Sequence, residues 1–258
     1  MTDGETVTLA YKRTGSGPAL VFLHGYLGSS DMWRRQLALY SGRFDVVAPD
    51  LAGFGGSAHL PGPDRIAHHA ESVLALLQRL GIARFTVVGH SMGGMIAQQL
   101  AAVAGERIDR LVLYGTGPGG GLAGRFESTA VSRRRLETDG VAATARHIAA
   151  TWFVDGERAP DFPMCAAIGA SASLQAAIAS TYAWEHWDIR HALGSFRMPA
   201  LVLWGERDRS IGWHQCEQLW RGIPRSSLAV CPQCAHNVHL ERPELFDLLV
   251  SDFVATAR

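Results

Sequence analysis

Apolar and polar positions fall into short blocks along this chain, and the blocks predict strands and helices in turn. Residues 5–13 alternate between the two kinds, and beyond Gly15-Ser16-Gly17-Pro18 the run Ala19-Leu20-Val21-Phe22-Leu23 is unbroken. Together they read as a hairpin leading into a buried strand. Helical spacing covers 31–40, a short β-rich run covers 44–48, and helical spacing returns over 64–80 with Ile66, Ala70, Val73, Leu74 and Leu77 on one face. Phe85-Thr86-Val87-Val88 then precedes a helical stretch at 92–104, and Arg110-Leu111-Val112-Leu113-Tyr114 runs up to a glycine. Ala200-Leu201-Val202-Leu203-Trp204 and Ser227-Leu228-Ala229-Val230 continue the pattern, and 243–257 closes it as an amphipathic helix. Such alternation implies an α/β fold, a mostly parallel sheet with helices on both faces. Ligands of such sheets sit beyond the carboxyl ends of the strands.

One stretch differs. From the glycine cluster at 117–121 to about Gly194 the spacing is helical and no convincing strand occurs, so 118–194 is expected to be an inserted helical cap. The core domain is then 1–117 together with 195–258. The insertion carries Trp152, Phe153, Trp184 and Trp187, aromatic bulk suited either to a plain core or to the wall of a substrate pocket.

Composition narrows the functions. Over 258 residues, 47% are hydrophobic and 19% charged, the balance of a compact enzyme and not of a disordered chain. The 24 basic and 24 acidic side chains cancel, which removes the long-range attraction that nucleic acid or anionic lipid would need. A small, largely uncharged substrate is expected, with no nucleic-acid or membrane partner; oligomeric state leaves no mark on the pattern. The start Met1-Thr2-Asp3-Gly4-Glu5 is acidic where a signal peptide would be basic, and no apolar run approaches the roughly 18 residues of a membrane span, so a cytoplasmic location is expected. Four cysteines are too few for a disulfide scaffold. Cys231 and Cys234 stand near His236 and His239, but four ligands within nine residues close a tetrahedron poorly, so buried thiols are expected and no metal or other cofactor.

The chemistry centres on Gly89-His90-Ser91-Met92-Gly93, a G-x-S-x-G sequence lying between a predicted strand and a predicted helix. A turn that sharp lifts the serine hydroxyl above the sheet and needs glycines where neighbouring chain comes close. The helix behind it points its amino end at the site, making the Met92 N–H one donor to a developing oxyanion. His24-Gly25-Tyr26-Leu27-Gly28, after the first central strand, offers the Tyr26 N–H as a second. A serine hydroxyl is a poor nucleophile without a base and an acid behind it. In this architecture the chain order is serine, acid, histidine, which selects Asp208 after one late strand and His236 after the next. Glu206 and His239 compete from the same loops; a solvated charge and a packed histidine are the blander readings of those two. Gly115-Thr116-Gly117 offers no carboxylate.

Asp50 also ends a strand on this side, and is expected to bond backbone N–H groups in the turn around Gly53, Gly55 and Gly56. His24 and His90 are expected to hold loops. Arg133-Arg134-Arg135 point in three directions on a helix and are expected to meet water, the alternative being a grip on a substrate carboxylate.

Taken together, HGYLGSS at 24–30, DLAGFGGS at 50–57, GHSMGG at 89–94, GERD at 205–208 and AHNVHLERPELF at 235–246 resemble the α/β-hydrolase superfamily over nearly the whole chain. Within it the likeness is to small carboxylesterases, cofactor-free perhydrolases and carbon–carbon bond hydrolases of ring cleavage. The resemblance implies the α/β-hydrolase fold, with Ser91, Asp208 and His236 as a catalytic triad and Tyr26 and Met92 as oxyanion donors. The H-x-x-x-x-E-x-P-E spacing fits His236 to Glu244, and His239 lies off it. Ala235 stands where the family often has glycine, and Asn237 where ring-cleavage enzymes often have tryptophan. Haloalkane dehalogenases and epoxide hydrolases carry aspartate at the position of Ser91. The function implied is hydrolysis of a carboxylic ester, with carbon–carbon bond, lactone, thioester or perhydrolase chemistry as alternatives; a ligand receptor on the same fold is the non-enzyme alternative.

Overall fold

The computed structural model describes residues 8–121 and 124–255. Seven strands, β1 (Tyr11–Thr14), β2 (Ala19–Leu23), β3 (Asp45–Pro49), β4 (Phe85–His90), β5 (Ile108–Tyr114), β6 (Ala200–Gly205) and β7 (Ser226–Cys231), form one sheet. Their order is β1-β3-β2-β4-β5-β6-β7. Every neighbouring pair is parallel except β1 with β3. The expected hairpin between the first two strands is therefore corrected: β1 pairs with β3, Tyr11 opposite Pro49 and Thr14 opposite Val46. The 15–18 turn carries the chain past the end of β3, where the Asp45 N–H donates to Pro18 C=O at 3.1 Å. β2 is thereby left between two parallel partners. The portion of the 5–13 alternation at 5–7 lies outside the described residues.

The continuous apolar runs make sense once both faces are covered. Along β2, Leu20 and Phe22 pack with Tyr40 of α1 (Arg34–Tyr40) and with Phe246 and Val250 of α10 (Pro243–Ala255). Val21 and Leu23 point the other way, toward α2 (Ile66–Arg79) and α3 (Met92–Ala104). The two-residue period of a strand thus feeds two separate cores. The helix expected at 31–40 opens as a 3-10 turn over Ser30–Trp33, because the Ser29 hydroxyl accepts the Asp31 N–H at 3.2 Å.

Between β5 and β6 come α4 (Thr129–Thr138), α5 (Gly140–Ala150), α6 (Phe162–Ala170) and α7 (Leu174–Glu185). Extended structure there among the described residues is one isolated bridge, Gly119 with Asp188. The remaining helices are α8 (Trp213–Gly222), α9 (Val238–Glu241) and α10. Among the described residues, no single helix is long and apolar enough to cross a membrane.

Two of the three successive arginines do not simply meet water. Arg133 pairs with Glu185 of α7 at 2.9 Å, and Arg135 with Glu127 at 3.0 Å, while Arg134 is exposed. A turn of about 100° per residue, from 3.6 residues per turn, gives Arg133 and Arg135 different neighbours, and each finds a carboxylate there.

Candidate active site

Strand β4 delivers its chain into the turn that holds Ser91, and the backbone there is strained. Ser91 has φ 54° and ψ −119°, a region that a side chain rarely tolerates without compensation. The turn is held by the Ser91 N–H donating to Tyr114 C=O at 2.9 Å and the Thr116 hydroxyl donating to Ser91 C=O at 2.8 Å. Glycine is required on both flanks by close approach. A Cβ on Gly89 would lie 2.4 Å from Gly93 C=O, and one on Gly93 would lie 2.4 Å from Leu23 C=O.

The acid follows β6 and the histidine follows β7. His236 Nδ1 lies 2.7 Å from Asp208 Oδ2, with both side chains almost wholly buried. The other carboxylate oxygen, Oδ1, accepts the Ser210 and Ile211 N–H groups at 2.7 and 3.0 Å. Asp208 is thus fixed in rotation, and the Nδ1 of His236 must carry the proton that it shares. His236 and Ser91 line one cavity, together with Tyr26, Met92, Trp152, Trp184 and others. The His24–Gly28 loop abuts the same serine, since a Cβ on Gly25 would stand 2.9 Å from Ser91 Cβ. Neither the Tyr26 nor the Met92 N–H makes a hydrogen bond to a described residue.

The competing residues lie elsewhere. Glu206 is exposed, accepting the Gln233 N–H at 3.1 Å and pairing with Arg207. His239 is buried against Trp33, ring centroids 4.6 Å apart, with Nδ1 3.1 Å from the Tyr114 hydroxyl. That hydroxyl donates to His236 C=O at 2.8 Å, and His90 Nε2 donates to the same oxygen at 3.1 Å. His90 and Tyr114 therefore pin the backbone of His236. Asp50 does what its turn suggested, accepting the Ser30 and Gly56 N–H groups at 2.6 and 2.9 Å. His24 ties two loops, accepting the Leu51 N–H at Nε2 and donating from Nδ1 to Gly25 C=O. Of the four aromatic residues singled out in the insertion, Trp152 and Trp184 face the cavity; Phe153 is core, and the Trp187 indole N–H bonds Gln99 at 3.1 Å. Cys231 and Cys234 are free, buried thiols, and burial pushes them up to about 12 and 11. Among the described residues no three metal-ligating side chains converge.

Two contributors had no role assigned from the sequence, one of them within the His236–Glu244 spacing. Glu241 accepts the Ala235 N–H at 2.6 Å and the Val154 N–H at 2.7 Å, joining the His236 loop to the segment between β5 and β6. Its signal was the glutamate five residues after His236. Arg125 also lines the cavity, and a lone arginine in a polar stretch gives no such signal.

The buried histidines carry a measurable consequence. Burial pushes His239 down to about 3 and His69 down to about 4, and lowers His24 and His90 as well. With native values below the ordinary 6.5, the unfolded chain binds more protons, so the stability present above pH 6.5 falls as pH drops toward 4. His239 and His69 are each expected to remove about 1 kcal/mol between pH 6 and pH 5. Denaturant midpoints at several pH values check this, and His69→Leu should flatten the slope by about one proton's worth. An unchanged slope would count against it.

The strained serine turn above a mostly parallel sheet, with a buried acid and histidine beyond β6 and β7, places the chain in a recognisable class. It belongs to the alpha/beta hydrolase fold family, which it matches over residues 18–243. It is similar to a 3-oxoadipate enol-lactonase of Acinetobacter baylyi, 28% identical over 94% of this chain and 91% of that protein. Among solved structures it resembles the enol-lactonase of Burkholderia xenovorans, with TM-score 0.87, 28% identity and 96% of each chain covered. An uncharacterised Mycobacterium tuberculosis protein is 40% identical over 108 residues; that match takes in 42% of this chain and about a third (32%) of the relative's length.

Proposed function

We propose that this protein is a serine hydrolase that cleaves a small carboxylic ester through an acyl intermediate on Ser91. The observation that carries this reading is the 2.7 Å bond from His236 Nδ1 to a rotationally fixed Asp208, with His236 and Ser91 facing one cavity. With Nδ1 protonated, His236 Nε2 is free to take the Ser91 proton as Oγ attacks the ester carbonyl, and Asp208 stabilises the imidazolium. The oxyanion receives the Tyr26 and Met92 N–H groups, which have no other partner among the described residues. The imidazolium then protonates the departing alcohol, and water deprotonated by the same histidine releases the acid.

The insertion, 118–194, acts as a cap in this scheme. The cavity is about 40 Å³, far below the roughly 300–1,000 Å³ of small-molecule sites, so in this reading a substrate enters by widening it at the Trp152 and Trp184 wall. An internal ester is the second reading, favoured by the likeness to two proteins described as enol-lactonases. A fluorophosphonate probe tests the core of the proposal. It should add one adduct, mapped by mass spectrometry to the peptide containing Ser91, and abolish hydrolysis of a 4-nitrophenyl ester in proportion. A folded protein that stays unlabelled would instead be a binding protein on this fold.

A further inference from the structure

One cation lining the cavity forms no ion pair with any described residue, although Glu127 lies near enough to act on it electrostatically. Arg125 lines it beside Ser91 and His236, and is half-buried there. Its Nη1 donates to Glu127 C=O at 2.6 Å and to the Ser132 hydroxyl at 3.1 Å, and its guanidinium lies 4.2 Å over the Phe126 ring. No carboxylate among the described residues forms an ion pair with it. The nearby acid is committed elsewhere: Glu127 accepts from Ser132 at 2.6 Å, from Arg135 at 3.0 Å, and lies 3.4 Å from His147. Nε and Nη2 of Arg125 therefore have no protein acceptor among the described residues. The segment is anchored, since the Phe126 N–H donates to Arg209 C=O at 2.9 Å, next to Asp208 in sequence.

Withdrawing a charge from water is unfavourable unless a partner compensates it, and here burial lowers the guanidinium's pKa from its ordinary value. A planar fork whose Nε–Nη2 edge has no acceptor among the described residues matches a carboxylate. We propose that Arg125 binds a carboxylate on the substrate, distinct from the carbonyl that Ser91 attacks, so that the preferred ester or lactone is a monoanion. This rests on the acyl-serine reading above and names its substrate class. The chain's zero net charge bears on long-range attraction only; a single half-buried guanidinium selects at contact. Tyr26, Trp152 and Trp184 supply an apolar wall for the carbon chain between the two groups.

The test compares mono-4-nitrophenyl adipate with the uncharged 4-nitrophenyl hexanoate. The wild type should favour the adipate in kcat/KM by about 30-fold, the scale of a charge-assisted bidentate contact. Arg125→Met should bring the ratio of the two kcat/KM values to near one, chiefly through KM for the adipate, and Arg125→Lys should restore part of it. A wild type that labels with fluorophosphonate but shows no preference for the adipate overturns the assignment of Arg125. So does an Arg125→Met protein with the ratio unchanged, or one whose two rates fall together along with its melting temperature, which marks a structural arginine. A wild type that neither labels nor turns over either ester overturns the hydrolase reading itself. Because the wild-type preference is measured without any substitution, a variant that fails to fold leaves the proposal decidable.

Discussion

Ser91→Ala is expected to bind an ester about as the parent does and to turn it over roughly 10⁶-fold more slowly. The hydroxyl is the atom through which the acyl group is proposed to pass, so its loss removes the covalent route and leaves the oxyanion donors and His236 with little to act on. The strain at this position supplies an independent check. With φ 54° and ψ −119°, a residue bearing a Cβ costs about 1–3 kcal/mol there. Alanine keeps that cost and glycine relieves it. Ser91→Gly should therefore lose turnover as alanine does, yet unfold at higher denaturant, more stable than Ser91→Ala by about 1 kcal/mol. Steady-state rates and urea titrations of the two variants decide the matter. If Ser91→Ala kept even a hundredth of the rate, the acyl-serine intermediate would be untenable; equal stabilities would remove the strain argument alone.

What could be read in advance follows from how local the determinants are. The central strands were legible because a strand covered on both faces leaves an unbroken apolar run, as Leu20 to Leu23 and Leu111 to Tyr114 do. The serine turn was legible because its glycines answer to close approach within a few residues. The pairing of β1 was not, since an alternating segment does not say which strand it lies against; only the free edge of β3 decides that. Arginines divide in the same way. Arg133, Arg135 and Arg125 look alike in sequence, and what separates them is where Glu185 and Glu127 come to rest. Three successive arginines on a helix were expected to meet water, and the partner that each of Arg133 and Arg135 finds depends on packing between α4, α7 and the segment before them. Glu241 lies between these cases. Its spacing from His236 is local, whereas its second bond, to the Val154 N–H, joins it to a segment 87 residues away.

Asp208→Asn should fold, bind and nevertheless lose about 10⁴-fold in kcat. The reason lies in the two backbone donors. Ser210 and Ile211 N–H both point at Oδ1, so the amide of an asparagine must place its oxygen there and its NH₂ where Oδ2 now meets His236. A flipped amide would set donor against donor twice. The NH₂ then faces Nδ1, which must give up its proton to accept, and the proton moves to Nε2. A histidine protonated at Nε2 and neutral cannot take the proton of Ser91. The geometry survives while the direction of proton flow is reversed, so KM should stay within a few-fold of the parent and the melting curve should change little. Asp208→Ala, with no amide to enforce the wrong tautomer but an unpaired ring and two orphaned N–H groups, should by contrast lose stability as well as rate. Kinetics and thermal melts of the two variants separate these effects. A loss below tenfold in Asp208→Asn would mean that His236 is oriented by something other than this carboxylate. The hydrogen bonds of Tyr114 and His90 to His236 C=O would then be the groups to probe next.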